Sequence, residues 1–341
     1  MKRLCHAANA GLLMALLVSA ATDAAPAQCQ YQRQVNFPIK FEELKPTIAS
    51  TINGKPATLL VDTGSATSSI THQSADKLGL KLTPLPGHMF GVGGESKLDK
   101  AVLNEVSLGS LTFHKQVVFV TQDIDMGQDM LLGADFLFQK DLEMSMQARE
   151  INMFKAQGCD GAFLAYWDAD AQDVPLEKTP VGDPRAVVSV ELNGKKIRAM
   201  LDSGAQRSVI NLAAAAKLGV TPESLDVIKQ GNASGIGKQE IKRWQATFKS
   251  FSIGGETINN PKITMADLYG AAKTDSVHTG DIIFDEEEPE MLLGADFLRA
   301  HHVLFAFSQR RLYFSYLGGS VFDVSRTIAP PPGPGATMPL Q

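Results

Sequence analysis

This 341-residue chain contains one stretch twice, first as Leu59-Leu60-Val61-Asp62-Thr63-Gly64 and again as Ala199-Met200-Leu201-Asp202-Ser203-Gly204. Each copy is preceded by Asn-Gly-Lys and followed by Ser-x-Ile, at a constant spacing of 140 residues. The register holds as far as Gly79 and Gly219. Internal repetition decides the architecture of a chain, and two copies predict a pair of pseudo-symmetric lobes.

A second shared block closes each copy. The segment from Met130 to Leu137 recurs letter for letter from Met291 to Leu298, now at a spacing of 161 residues. The second copy therefore carries about twenty more residues between its blocks. Most of this surplus falls between Asn259 and Pro289.

Short strands and turns dominate each copy. Residues 57–61 and 197–201 are apolar and β-prone, so each delivers its aspartate to the end of a strand, where the glycine two positions later permits a sharp turn. Brief helices are predicted over 72–78 and 212–218, with Thr71 and Asn211 as N-caps and a glycine after each. The glycine-rich segments 90–94 and 234–238 indicate hairpin tips, and a terminal hairpin ends each copy. The pattern predicts an all-β fold with a few short helices.

The duplicated aspartates make a two-carboxylate active site the leading hypothesis, with Asp62 and Asp202 as the catalytic residues. Two carboxylates about 3 Å apart cannot both ionise comfortably, so the pair shares one proton. Its ionised member can activate water while its protonated member donates to a carbonyl oxygen. Support is expected from the rest of each loop, which is Thr63, Gly64 and Ser65 in one copy and Ser203, Gly204 and Ala205 in the other. Asp135 and Asp296 are repeated too, but are expected to form local hydrogen bonds.

These motifs resemble the retropepsin-like aspartic proteases, especially bacterial members, over about residues 36–320. The resemblance implies a bilobal acid-protease fold with pseudo-twofold symmetry, in which each lobe supplies one catalytic aspartate. It further implies that Thr63 and Ser203 brace the two loops, and that a Leu-Leu-Gly strand (131–133 and 292–294) crosses behind each loop. Substrate-binding flaps are implied at Gly91, Val92, Gly93 and Gly94 and at Gly235, Ile236 and Gly237. The flap tyrosine of pepsin-like enzymes is missing, because no tyrosine lies between Asp62 and Leu131.

The resulting expectation is an aspartic endopeptidase that acts on proteins or peptides without metal or cofactor. Two alternatives stay open, a non-catalytic peptide-binding module and a homodimer with separate sites. His301-His302 is expected to have a surface or packing role, since adjacent side chains diverge and no ligand cluster accompanies them. The acidic run 285–288 is expected to be a solvated loop or a substrate-selecting rim. A formal net charge of -5 gives no reason to expect a nucleic-acid partner.

The N-terminus has the layout of a secretory signal peptide, with Lys2 and Arg3 before a short apolar run over 11–21. We therefore expect a secreted or periplasmic protein without a stable membrane span after cleavage, and a monomer whose lobes pair within the chain. Removing the signal leaves Cys29 and Cys159, which an oxidising compartment would allow to pair.

The repeats divide the chain into five predicted segments. These are a signal peptide over 1–27, a first lobe over 34–158, a linker over 159–184, a second lobe over 185–321 and a Pro/Gly-rich tail over 322–341, expected to be disordered.

Overall fold

Each copy of the repeat builds its own sheet, and a third sheet joins the two copies. The architecture is that of a computed structural model, which describes residues 29–121, 127–233, 238–270 and 288–322. The predicted signal peptide, all but the first residue of the predicted tail and all but the last residue of the acidic run 285–288 lie outside these residues. None of the helices within these ranges is long and apolar enough to cross a membrane.

The first lobe contains an eight-stranded sheet in the order β2-β3-β4-β9-β5-β8-β7-β6. Its strands are β2 (Lys40–Glu42), β3 (Lys45–Ile52), β4 (Lys55–Val61), β5 (Ser69–Thr71), β6 (Leu82–Gly91), β7 (Gly94–Leu108), β8 (Leu111–Thr121) and β9 (Met130–Leu132). Two helices accompany the sheet, α1 (His72–Leu78) and α2 (Ala134–Leu137).

The second lobe contains a nine-stranded sheet in the order β16-β17-β20-β15-β21-β14-β13-β18-β19. Its strands are β13 (Val187–Leu192), β14 (Lys195–Leu201), β15 (Val209–Asn211), β16 (Ile228–Lys229), β17 (Arg243–Thr247), β18 (Ser250–Ile253), β19 (Glu256–Asn259), β20 (Lys262–Ala266) and β21 (Met291–Leu293). Its helices are α3 (Leu212–Lys217) and α4 (Ala295–Leu298).

A six-stranded sheet, β1-β11-β10-β22-β23-β12, takes strands from both copies. They are β1 (Gln30–Pro38), β10 (Asp141–Ser145), β11 (Glu150–Gln157), β12 (Gln172–Pro175), β22 (His301–Ala306) and β23 (Arg311–Tyr316). The copies meet where β10 pairs with β22 in antiparallel register. The predicted terminal hairpins are confirmed as β10–β11 and β22–β23. The predicted linker contains β12, which pairs with β23 at the edge of this sheet.

The pseudo-twofold relation appears in the strand pairing around each catalytic aspartate. In the first lobe β9 pairs in parallel with β4 and antiparallel with β5, and β21 does the same with β14 and β15 in the second. Apolar residues of these strands, such as Leu59 and Leu201, are fully buried. Burying this surface against the lobe core fixes the strand ends, and so fixes the aspartates that follow them.

The predicted helices form, with one capping difference. Thr71 caps α1 by accepting a hydrogen bond from Ser74 N at 3.0 Å, and Gly79 ends it at φ 70°. Asn211 occupies the N-cap position of α3, but its side chain makes no capping bond. Its Oδ1 instead accepts from Leu268 N at 3.4 Å, since the amide reaches the loop beyond β20. The prediction of a side-chain cap at Asn211 was therefore wrong.

Candidate active site

The two aspartate loops meet across the interface between the lobes. Each aspartate follows its strand directly, and its N–H donates to the neighbouring Leu-Leu-Gly strand, Asp62 to Leu132 O at 3.0 Å and Asp202 to Leu293 O at 2.8 Å. A Cβ at Gly64 would lie 2.3 Å from Cγ of Asp202, and a Cβ at Gly204 would lie 2.4 Å from Cγ of Asp62. Each carboxyl group is therefore packed against the glycine of the other lobe.

Reciprocal hydrogen bonds from two hydroxyls hold the loops together. Thr63 Oγ1 donates to Leu201 O at 2.7 Å, and Ser203 Oγ donates to Val61 O at 2.7 Å. Each hydroxyl oxygen also accepts the backbone N–H of the other residue, at 3.0 and 3.1 Å. Both side chains are fully buried, so these bonds are shielded from water and leave no buried polar group without a partner.

Backbone donors orient each carboxyl group. Gly64 N and Ser65 N both lie 3.0 Å from Asp62 Oδ1, while Gly204 N and Ala205 N lie 2.9 and 3.0 Å from Asp202 Oδ1. The extra hydroxyl of the first loop takes no part in this arrangement, because Ser65 Oγ donates to Thr67 O at 2.9 Å.

The electrostatics of the pair favour a retained proton. Burial is the largest cause that raises the pKa of both Asp62 and Asp202, and the charge of Asp202 raises the pKa of Asp62 further. The backbone donors act in the opposite direction by stabilising the ionised forms. Because the two carboxyls hydrogen-bond each other, their titrations belong to the pair.

A second pair of acids supports the loops from behind. Asp296 accepts from Ser208 N at 2.8 Å and from Ser208 Oγ at 2.6 Å, and that hydroxyl accepts from Gly294 N at 2.9 Å. Asp135 and Ser68 repeat the arrangement in the first lobe. These acids hydrogen-bond within each lobe, as predicted, although their partners lie far away in sequence. The serines were missed, although the repeated Ser-x-Ile could have identified them.

The first predicted flap is a hairpin of β6 and β7, with Val92 and Gly93 at its tip. Gly93 O accepts a hydrogen bond from Gln239 N of the second lobe at 2.9 Å, so the flap tip reaches across the cleft. Of the second predicted flap, Gly235, Ile236 and Gly237 lie outside the described residues. The segment on either side forms an antiparallel bridge between Ala233 and Ile241.

Neither histidine of the adjacent pair lies at the aspartates. His301 is fully buried, with Nδ1 2.7 Å from Phe297 O and Nε2 3.0 Å from Glu256 Oε2. His302 stacks on Trp167 with ring centroids 4.1 Å apart. The expected packing role is confirmed. Within the described ranges, no group of three or more His, Cys, Asp or Glu side chains could hold a metal ion.

Comparison with known proteins agrees with this arrangement. The aspartyl protease family model matches the chain twice, over residues 48–136 and 188–297, and thus over more than half of its length. The chain belongs to the aspartyl protease family. Both aspartates lie inside the matched segments of this aspartyl protease, and the predicted two-lobed, mostly β architecture is confirmed.

Two individual proteins resemble parts of this aspartyl protease. UBA domain-containing protein Mud1 from Schizosaccharomyces pombe is 32% identical over 114 residues, which are 33% of this chain and 28% of Mud1. The match thus spans little more than a quarter of Mud1. The crystal structure of aspartic proteinase from Irpex lacteus aligns with 83% of this chain and 97% of its own, at 15% identity and a TM-score of 0.48.

Proposed function

We propose that this chain is an aspartic endopeptidase that hydrolyses protein or peptide substrates with Asp62 and Asp202. The observation that carries the proposal is the exchange of glycines, in which each carboxyl group packs against the glycine of the opposite loop. Such packing requires the other lobe, and it holds two acids together at the floor of a cleft. No structural need of a folded protein explains two adjoining carboxyls.

The chemistry follows from one shared proton. The ionised carboxylate acts as general base on a water molecule, while the protonated carboxyl donates to the scissile carbonyl oxygen. The backbone donors at each Oδ1 fix the orientation of the acids before substrate arrives, so little reorganisation is needed during reaction. The flap across the cleft would exclude bulk water from the site.

The test replaces each aspartate by asparagine. Because a carboxamide can neither act as base nor hold the shared proton, Asp62→Asn and Asp202→Asn should each lower kcat/KM by at least about 1000-fold on a peptide library. Mixing the two variants should restore nothing if the lobes pair within one chain. Substantial cleavage by either variant alone would contradict a single shared site and favour a homodimer with separate sites.

The same library distinguishes the peptide-binding module. If the unsubstituted protein binds peptides between pH 3 and pH 8 but cleaves none, the cleft serves recognition only, and the enzymatic proposal fails. Inhibition of observed cleavage by a statine-type transition-state analogue would support the dyad, because such a group mimics the hydrated carbonyl between two acids.

We also propose that the protein is exported to the cell envelope or secreted. The basic start and short apolar run of the N-terminus support this, and so does the disulfide between Cys29 and Cys159, a type of bond that persists in oxidising compartments. Mass spectrometry of the mature protein should find its N-terminus between Ala21 and Gln28. An intact Met1 in a cytosolic fraction would overturn export.

A further inference from the structure

The two lobes differ in charge at one position of their catalytic loops. Thr67 and Arg207 follow Asp62 and Asp202 by the same five residues, and each packs its backbone on the glycine of the Leu-Leu-Gly segment. A Cβ at Gly133 would lie 2.8 Å from Thr67 C, and a Cβ at Gly294 would lie 2.6 Å from Arg207 C. The backbones are thus equivalent, and only the second lobe adds a cation.

A second position shows the same difference. Leu98 of β7 pairs with Thr121, which pairs with Thr71 of β5. In the second lobe Arg243 of β17 pairs with Ala266, which pairs with Asn211 of β15. Leu98 and Arg243 therefore occupy equivalent places, and the second lobe again carries an arginine where the first does not.

The two arginines lie near each other. Both are half-buried, and burial together with the neighbouring charge of Arg207 lowers the pKa of the Arg243 guanidinium. Arg243 Nε donates to Gly231 O at 3.0 Å, which braces the base of the second-lobe flap. Among the described residues, neither arginine forms an ion pair with a carboxylate. Two neighbouring guanidinium groups that lack an acid repel each other, and a bound anion would relieve that repulsion.

These arginines come from opposite sides of the cleft. Arg207 belongs to the loop that carries Asp202, the floor of the cleft, whereas Arg243 begins the return strand of the flap hairpin, its roof. A substrate chain that reaches the aspartates must pass between these two elements. We propose that Arg207 and Arg243 form a specificity subsite for an acidic side chain of the substrate, on one side of the scissile bond only. The inference rests on the proposed function, because it assigns a role within the same cleft.

A carboxylate fits this pair better than a neutral side chain. Guanidinium groups bind carboxylates through paired N–H donors, and such charge-assisted bonds are stronger than neutral ones. The first lobe offers Thr67 and Leu98 instead. The preference for an acid should therefore be confined to one side of the cleaved bond.

The test compares paired peptides. Cleavage sites of a peptide library are first mapped by mass spectrometry, and a Glu and a Gln version of a preferred substrate are then made at each position around the bond. We expect kcat/KM to favour Glu by about tenfold at one position, the size of one charged hydrogen bond in a partly desolvated site. Arg207→Thr and Arg243→Leu, which install the first-lobe residues, should bring that ratio close to one.

Three controls separate charge recognition from general damage. Arg33→Thr removes an exposed arginine of β1, a strand of the six-stranded sheet, and should keep the ratio. Arg207→Lys should restore part of the ratio lost in Arg207→Thr. The preference should also shrink at high salt, and below about pH 4, where the substrate glutamate becomes protonated. A merely structural role of Arg207 would not produce these dependences.

The outcomes separate the two proposals. A ratio near one at every position of a substrate that the protein cleaves, or a ratio unchanged by both arginine substitutions, overturns the subsite while leaving the endopeptidase intact. If the protein cleaves nothing, the endopeptidase fails, and binding of the same fluorescently labelled Glu and Gln peptides decides the subsite. A preference for Glu that Arg207→Thr abolishes would then retain it, and equal binding would reject it.

Discussion

At the scale of single residues, the site depends on what two glycines lack. Gly64 and Gly204 leave room for the opposite carboxyl group, and a methyl group at either position would overlap it. We predict that Gly64→Ala and Gly204→Ala each lower kcat/KM by at least about 100-fold, because displacing a catalytic group by about 1 Å has effects of this size.

The matched control for these glycine substitutions is Gly161→Ala. Gly161 has a φ of +72°, and nothing lies within 4 Å of the position that a methyl group would take, so alanine there strains the backbone without meeting a neighbour. It should lower the free energy of unfolding by about 1 kcal/mol and leave kcat/KM unchanged. Equal activity of Gly204→Ala and Gly161→Ala would contradict the packing of the carboxyls.

The raised pKa values of the dyad predict how stability and activity depend on pH. Since folding raises the pKa of Asp62, the folded state holds this proton more tightly than the unfolded state. Its stabilising effect is therefore present at low pH and is lost as pH rises through the raised pKa. Urea unfolding should show that Asp62→Asn gains stability relative to the unsubstituted protein between pH 4 and pH 8. Activity should fall over the alkaline part of that range as the shared proton leaves.

A constant stability difference between the two proteins across this pH range would mean that the carboxyls titrate as ordinary acids. The comparison needs a control variant with the same charge change elsewhere. Asp160→Asn serves, because Asp160 is exposed and lies at the end of the first copy.

The residues of the dyad could be predicted because duplication marks them, while their surroundings could not. Repetition of Asp-Thr/Ser-Gly points to Asp62 and Asp202 without any structure. It does not reveal that Ser65 Oγ turns to a backbone carbonyl, or that Asn211 leaves its cap for Leu268 N. Short polar side chains have several backbone partners within reach, and tertiary packing selects among them.

At the scale of elements, the helix behind each aspartate loop begins with a buried acid. Asp296 is 3% exposed and accepts three hydrogen bonds from Ser208 and Phe297, whereas its counterpart Asp135 is half-buried. We predict that Asp296→Ala lowers the free energy of unfolding by about 3 kcal/mol, because it leaves buried donors without an acceptor. Asp135→Ala should cost less, since water can reach its donors. Urea denaturation at one pH measures both, and an equal or reversed order would contradict the assignment.

Most strands near the aspartates follow from apolar runs between turn residues, and their observed bounds differ from the prediction by a few residues. The element that sequence did not indicate is β12, within the predicted linker. Its four residues carry only Val174 as a buried apolar side chain, so no alternating pattern announces it. Pairing with β23 supplies the order that its own sequence lacks.

The long hairpin of the first lobe also has no sequence signal for its division in the second. Strands β7 and β8 run unbroken, while the equivalent hairpin is split into β17–β20 and β18–β19 around Phe248 and Pro261. Proline lacks the N–H that a continuous ladder needs, which accounts for the interruption beside Pro261.

At the scale of the whole molecule, duplication predicts two lobes but not how they join. The joining sheet pairs β10 with β22, strands separated by about 160 residues, and takes its two edges from β1 and β12. Pairing between distant strands depends on which edges the lobes leave free, and neither composition nor periodicity records that. The lobe, linker and tail boundaries drawn from the repeats therefore stay predictions.

One edge of the joining sheet carries a covalent link. Cys29 and Cys159 form a disulfide that closes a separation of 130 residues, beside the pair Gln30 and Gln157 at the end of β1 and β11. This confirms the pairing expected from sequence. The bond ties the first strand of the chain to the sheet after nearly the whole first lobe has intervened, so it limits the unfolded chain more than the folded one.

Removing this link should therefore weaken the fold without altering the aspartates. We predict that Cys29→Ser/Cys159→Ser lowers the free energy of unfolding by about 2 to 4 kcal/mol in urea at fixed pH, with kcat/KM retained below the unfolding transition. Reductant should lower the stability of the unsubstituted protein toward the same value and leave the double variant unaffected. Cys159 is almost fully buried, so complete reduction requires the sheet edge to open. A double variant as stable as the oxidised protein would show that β1 is held by its hydrogen bonds to β11 alone, and that the disulfide adds nothing to the joining of the lobes.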